Sequence, residues 1–127
     1  MLNLKRVLLV ASVVLLCLAP ALAADISGQW ATVIKTAIGE MIYTFDFKVE
    51  GEKLTGKVMM SMGNDSSESP LMEGSVKGDE VSFVEMLKVQ GQEIRCEYKG
   101  KISGSEIQGS RQVGSYGTEE FVAKRAK

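Results

Sequence analysis

The chain has 127 residues, of which 45% are hydrophobic and 24% charged, with a formal net charge of −1 and no histidine. Without histidine, the Ser-His-Asp and Cys-His arrangements and every His-ligated metal site are excluded. The charges are interspersed, with no basic stripe, so nucleic acid is not an expected partner.

Residues 1–23 read as an export signal. Lys5 and Arg6 form the positive start, Val7 to Leu18 the apolar run, and Ala21-Leu22-Ala23 the small-x-small cleavage pattern. The run is shorter than the roughly 20 residues of a membrane span. Cleavage after Ala23 would leave residues 24–127 as one domain without a membrane span, in the periplasm or outside the cell. Losing Lys5 and Arg6 from 15 basic residues leaves 13 against 16 acidic ones, a net charge of −3. Losing Cys17 leaves Cys96 alone, so no intrachain disulfide is expected even in an oxidising compartment.

The rest of the chain alternates with period two. Expected strands are 28–36, 41–50, 53–62, 71–77, 80–89, 92–101, 106–113 and 118–125. In 41–50, Met41, Tyr43, Phe45, Phe47 and Val49 share one face, and Ile42, Thr44, Asp46 and Lys48 the other. Glycines 39, 51, 63, 78, 91, 104 and 117, spaced 12 to 15 residues apart, mark the turns between them. The polar stretch GNDSSESP (63–70) reads as the one long, mobile connection. Eight short strands joined by hairpins make an antiparallel up-and-down meander, as a closed barrel or as two stacked sheets. Closure removes exposed edges, which favours the barrel.

The opening DISGQW (25–30) places Gly28 and Trp30 at the start of the first strand. In that position Gly-x-Trp resembles the opening of calycin-type barrels: lipocalins, avidins and small bacterial metalloprotease inhibitors. The resemblance implies that Trp30 plugs the closed end and that a basic side chain of the last strand covers it. Arg125, in phase with Phe121 and Ala123, is the residue that fits. Together with GEKLTGKV (51–58), GDEVSF (78–83) and EEFVAKR (119–125), the motif is similar to a family of small secreted bacterial calycin-like domains of undefined function. Such domains occur alone or appended to secreted enzymes.

Two charges fall on apolar faces. Glu85 is in phase with Val81, Phe83, Leu87 and Val89, and Arg111 with Ile107, Gly109 and Val113. Buried charges need partners. Either Arg111 and Glu85 hold the polar end of a small, partly apolar ligand, with Tyr43, Phe45, Phe83 and Tyr98 lining its cavity, or they pair with each other or lie at a wet rim. Met60, Met62 and Met72 are expected inside with Leu54 and Val58, as adaptable lining or as core filling. Ile42, Met59, Val84 and Met86 are expected outside, where neighbouring ones could form an interface. Cys96 faces inward as a small hydrophobe. The acidic residues show no calcium-loop spacing, and no metal or cofactor is expected. The expected function is therefore non-catalytic binding of a small ligand inside the barrel. The alternative is an accessory module that meets a polysaccharide, a second copy or an exported enzyme, protease inhibition included, through its surface.

Overall fold

The computed structural model describes residues 24–126; the expected export signal, 1–23, lies outside the described residues. Nine strands follow in order: β1 (Gly28–Thr36), β2 (Gly39–Glu50), β3 (Lys53–Met62), β4 (Asp65–Pro70), β5 (Met72–Lys77), β6 (Glu80–Val89), β7 (Gln92–Ser103), β8 (Glu106–Val113) and β9 (Gly117–Arg125). All pairings are antiparallel. Eight strands close a ring, β1-β2-β3-β5-β6-β7-β8-β9 and back to β1. The domain is an all-β, eight-stranded up-and-down barrel, compatible with a calycin-like fold.

The ninth strand corrects the reading of 63–70 as a mobile connection. Asp65–Pro70 turns back at Gly63 and pairs with Met62 to Lys57 of β3, while β5 takes the other end of β3 at Lys53 and Leu54. The serines and acidic residues of β4 carry no apolar period because β4 is an edge strand with a single laddered partner, and Pro70 is tolerated on such an edge.

A second correction concerns β5. Its ladder with β6 slips by one residue between Met72 and Ser75, where Glu73 has φ of 50°. The bulge reverses the side-chain phase. Met72 therefore stands opposite Val84 on the outside and is exposed, while Leu71 enters the core. Gly74 is required here, because a Cβ would lie 2.1 Å from the carbonyl oxygen of Leu54. Arg95 clamps Glu73 with two hydrogen bonds of 2.7 and 2.9 Å. Val84 is buried rather than exposed, flanked by Met72 and Glu97 on the neighbouring strands.

One end of the barrel is closed by residues 24–27. Ile26 is buried, and its carbonyl accepts from the Trp30 indole N–H at 2.9 Å. The Arg125 guanidinium lies 4.7 Å from the Trp30 ring centroid and donates to the carbonyls of Ser27 at 2.8 Å and Asp25 at 3.3 Å. A Cβ on Gly28 would lie 3.3 Å from Arg125 Nη1, so the small residue leaves room for the guanidinium. Ala24 N–H bonds to the Gly78 carbonyl and Val49 N–H to the Ser27 hydroxyl, both at 3.0 Å.

The middle of the barrel is filled with rings. Phe45 packs on Tyr43, Phe47, Phe83 and Tyr98 with centroids 5.3 to 5.6 Å apart, and Phe83 stacks on Tyr98 at 4.4 Å. Phe121 meets Tyr98 edge-on at 5.6 Å. Fully burying each such ring stabilises the fold by about 1.5–3 kcal/mol.

Candidate functional site

Above the rings, towards the open end, lies a polar layer built from cross-strand neighbours. Tyr98 of β7 is paired with Arg111 of β8, and Arg111 with Glu119 of β9. Glu85 comes from β6, on the other side of β7 from Arg111, and Tyr43 of β2 reaches in from across the lumen. Arg111 and Glu85 have 1% and 2% of their surfaces exposed. Arg111 Nη1 donates to the Tyr43 hydroxyl at 2.7 Å and to the Tyr98 hydroxyl at 2.8 Å. Those hydroxyls donate onward to the two Glu85 oxygens, Tyr98 to Oε1 at 2.7 Å and Tyr43 to Oε2 at 3.1 Å. Arg111 Nη1 also lies 3.5 Å from Glu85 Oε1. On its other edge, Nε donates to Glu119 Oε1 at 2.8 Å, Nη2 sits 2.7 Å from the same oxygen, and Nη2 reaches Met41 Sδ at 3.7 Å. The guanidinium carbon is 5.1 Å from the Tyr43 ring centroid and 5.7 Å from that of Tyr98.

Among the described residues, no buried side-chain nitrogen or oxygen lacks a partner. That matters because a half-satisfied network in a low-dielectric interior is strongly destabilising, whereas a complete one fixes its members in place. Burial pushes the Glu85 carboxyl above the usual carboxylate range, against the Tyr98 hydrogen bond, the Arg111 charge and the Tyr43 hydrogen bond, which pull it down. Burial and then the Glu85 charge push both tyrosine hydroxyls up, so they remain protonated donors. Burial works against the Arg111 charge, but the Tyr98 and Tyr43 oxygens outweigh it and keep the guanidinium protonated. The Cys96 thiol is pushed up to about 12, first by burial, which leaves it a protonated hydrophobe at neutral pH.

The open end holds a recess of about 230 Å³ formed by the ends of the strands and the turns at 36–38, 90–92 and 114–116. Ile38, Leu87, Val89, Ile94, Val113 and Tyr116 supply its apolar walls, and Met41, Arg111 and Glu119 also line it. Of the six residues expected to line a ligand cavity, Arg111 reaches this recess. Glu85, Tyr43 and Tyr98 lie just below it in the network, and Phe45 and Phe83 lie deeper among the rings. The structure thus joins Arg111 and Glu85 through the two tyrosines. Glu119 and Met41 belong to the site without having been singled out for it. The signal for Glu119 was present, since it shares the phase of Phe121 and Ala123.

The outer wall has its own feature. Ile42 and Val33 are direct cross-strand partners, 55% and 51% exposed. The register of β1 with β9 runs through Trp30–Arg125 and Ala31–Lys124, which brings Val33 beside Val122, itself 45% exposed. Beyond those two pairs the Thr32 hydroxyl donates to the Val122 carbonyl at 2.8 Å. Ile42 also shares a shallow groove with Met59. Among the described residues, no group of three or more Asp, Glu, Cys or His side chains is arranged to hold a metal ion.

The chain matches no protein-family model and no curated protein.

Proposed function

We propose that this chain is an exported, non-catalytic binding protein that takes a small, partly apolar ligand into the open end of its barrel. The observation that carries this reading is the asymmetry of the lumen. One end is plugged by residues 24–27 and Trp30, the middle is filled with rings, and the other end opens as an apolar-walled recess with a charged floor. Concave apolar walls with a few convergent polar groups are the usual form of a small-molecule site. The recess is smaller than the roughly 300 Å³ at which drug-sized sites begin, so the ligand is small. The resemblance to small secreted calycin-like domains supports the same reading, and the cleavage pattern at Ala21-Leu22-Ala23 supports export.

The test is native mass spectrometry of protein taken from its own exported fraction, followed by denaturing extraction. The expected result is a discrete extra mass, released on denaturation and absent from Val113→Trp, which fills the recess. A bare monomer that also takes up no small amphiphile in titration overturns the reading.

A second reading, an interaction module acting through its outer surface, is favoured by the contiguous Ile42–Val33–Val122 row. It predicts concentration-dependent self-association, or co-purification with an exported enzyme, that Val33→Glu abolishes. Protease inhibition by an N-terminal arm fits less well, because residues 24–27 are tied into the closed end.

A further inference from the structure

Resting on the reading of the open end as a ligand site, we propose that its ligand is a small amphiphilic amine whose ammonium group is held by Glu119. Arg111 and Glu119 are the two charged residues that line the recess, and their free valences differ.

Arg111 has little left to offer an incoming anion. Both protons of Nη1 go to the Tyr43 and Tyr98 hydroxyls, Nε goes to Glu119 Oε1, and Nη2 lies against Glu119 Oε1 and Met41 Sδ. A carboxylate or phosphate head would have to displace Glu119 from this clamp or break the buried tyrosine bonds. Either route leaves a desolvated charge without its partner.

Glu119 is the opposite case. Its Oε1 takes both contacts from Arg111, while its Oε2 accepts no hydrogen bond from the described residues. Among the described residues no buried side-chain oxygen lacks a partner, so Oε2 is not buried but reaches solvent. The Glu119 side chain is 22% exposed, and it faces the recess from the strand next to Arg111. Arg111 orients the carboxylate and leaves one oxygen, with its lone pairs, directed away from the clamp. Such an oxygen prefers a cationic donor, because a charge-assisted N–H···O bond is roughly twice as strong as a neutral one.

The walls set the rest of the ligand. A volume of about 230 Å³ holds roughly seven or eight water-sized heavy atoms. Leu87, Ile94 and Val113 give it an apolar surface. A primary or secondary amine on a short alkyl or aromatic body matches both parts.

The experiment is isothermal titration of the purified mature protein at pH 7 with three probes of one chain length: heptylamine, heptan-1-ol and heptanoate. Heptylamine is expected to bind about tenfold more tightly than the alcohol, with heptanoate the weakest. In Glu119→Gln the amine-to-alcohol ratio should shrink to within about threefold, with Trp30 fluorescence reporting that the barrel is intact. Alcohol binding equal to or tighter than the amine's overturns the amine assignment, and heptanoate as the tightest probe overturns it in favour of an anion on Arg111. An unchanged ratio in folded Glu119→Gln overturns the role of Glu119. If none of the three probes binds, the open end is not a ligand site at all, and the failure lies with the proposed function itself.

Discussion

Both ends of the barrel place an arginine over aromatic rings, and the two arginines are held in opposite ways. At the closed end Arg125 lies on Trp30 and bonds to the backbone carbonyls of Ser27 and Asp25, with its side chain reaching solvent. At the open end Arg111 lies beside Tyr43 and Tyr98, is buried, and bonds only to side chains, two of them carboxylates. Carbonyls that can also reach water make a forgiving partner. The buried Glu85 carboxylate and the Tyr43 and Tyr98 hydroxyls make a demanding set, because each loses its hydration and must find every bond inside. The titration of the nearby acids shows the same contrast. The Ser27 backbone N–H and then its side chain hold the exposed Asp25 below its ordinary range, while burial pushes Glu85 above its own. The closed end is a structural plug. The open end is a buried, fully paired polar network beneath an apolar-walled recess.

The sharpest way to break this comparison is Arg111→Ala. It leaves Glu85 and two tyrosine hydroxyls buried without their donor, and removing one partner of a buried ion pair costs about 3–5 kcal/mol. Urea unfolding should show that loss; a change below about 1 kcal/mol would mean that water enters the network freely and that the open end is no more demanding than the plug.

Glu85→Gln is the next largest test. The amide oxygen of the replacement would still accept from Tyr98. Its N–H₂ would face the Tyr43 hydroxyl, which would have to turn its proton towards Met41 Sδ, 3.9 Å away. The loss should be on the order of 1 kcal/mol at low pH. The pH dependence is the stronger readout. Because the folded carboxyl is raised above its ordinary value of 4.5, the native state holds the proton more tightly than the unfolded chain. Glu85 therefore makes stability fall as pH rises from about 4.5 through its folded pKa. The stability advantage of the parent over Glu85→Gln should shrink as pH climbs through that window. Asp25 and Glu73, both lowered, act in the other sense: their contribution is present above their ordinary range and is lost as pH falls through their folded values. A parent-minus-variant difference that is flat with pH would show that Glu85 titrates alike in both states.

Much of the fold was legible because the barrel interior enforces a strict period of two. For strands 28–36, 53–62, 80–89 and 106–113 the period alone gives the bounds they have in the structure. The failures have physical causes. β4 carries no period because an edge strand with one partner buries too little of either face. Period two puts Met72 inside, but a bulge at Glu73 and Gly74 reverses the phase and turns it out, and the signal for the bulge is a single glycine within a strand. At the site, the inward aim of Arg111 and Glu85 could be read from phase alone. That they meet through Tyr43 and Tyr98 could not. β6 and β8 are separated by β7, and β2 lies across the lumen, so the meeting depends on the closure and stagger of the whole ring. The recess was illegible for the same reason, since its walls come from the ends of strands far apart in sequence.

The smallest effect belongs to the closed end, and it completes the comparison. Arg125→Ala removes a guanidinium from the indole face and two bonds to backbone carbonyls. Because Arg125 is exposed, water can take over those carbonyls, and the loss should stay near the roughly 0.5–1 kcal/mol of an exposed cation–π contact. Trp30 is the one tryptophan in the chain, so its emission reports this end alone. With the cover gone, water reaches the ring, and emission should shift to the red while the heptylamine uptake proposed for the far end is unchanged. If Arg125→Ala instead costs as much as Arg111→Ala and weakens uptake, the two ends are one cooperative unit. The filled middle of the barrel, Phe45 against Phe83 and Tyr98, would then be the element that couples them.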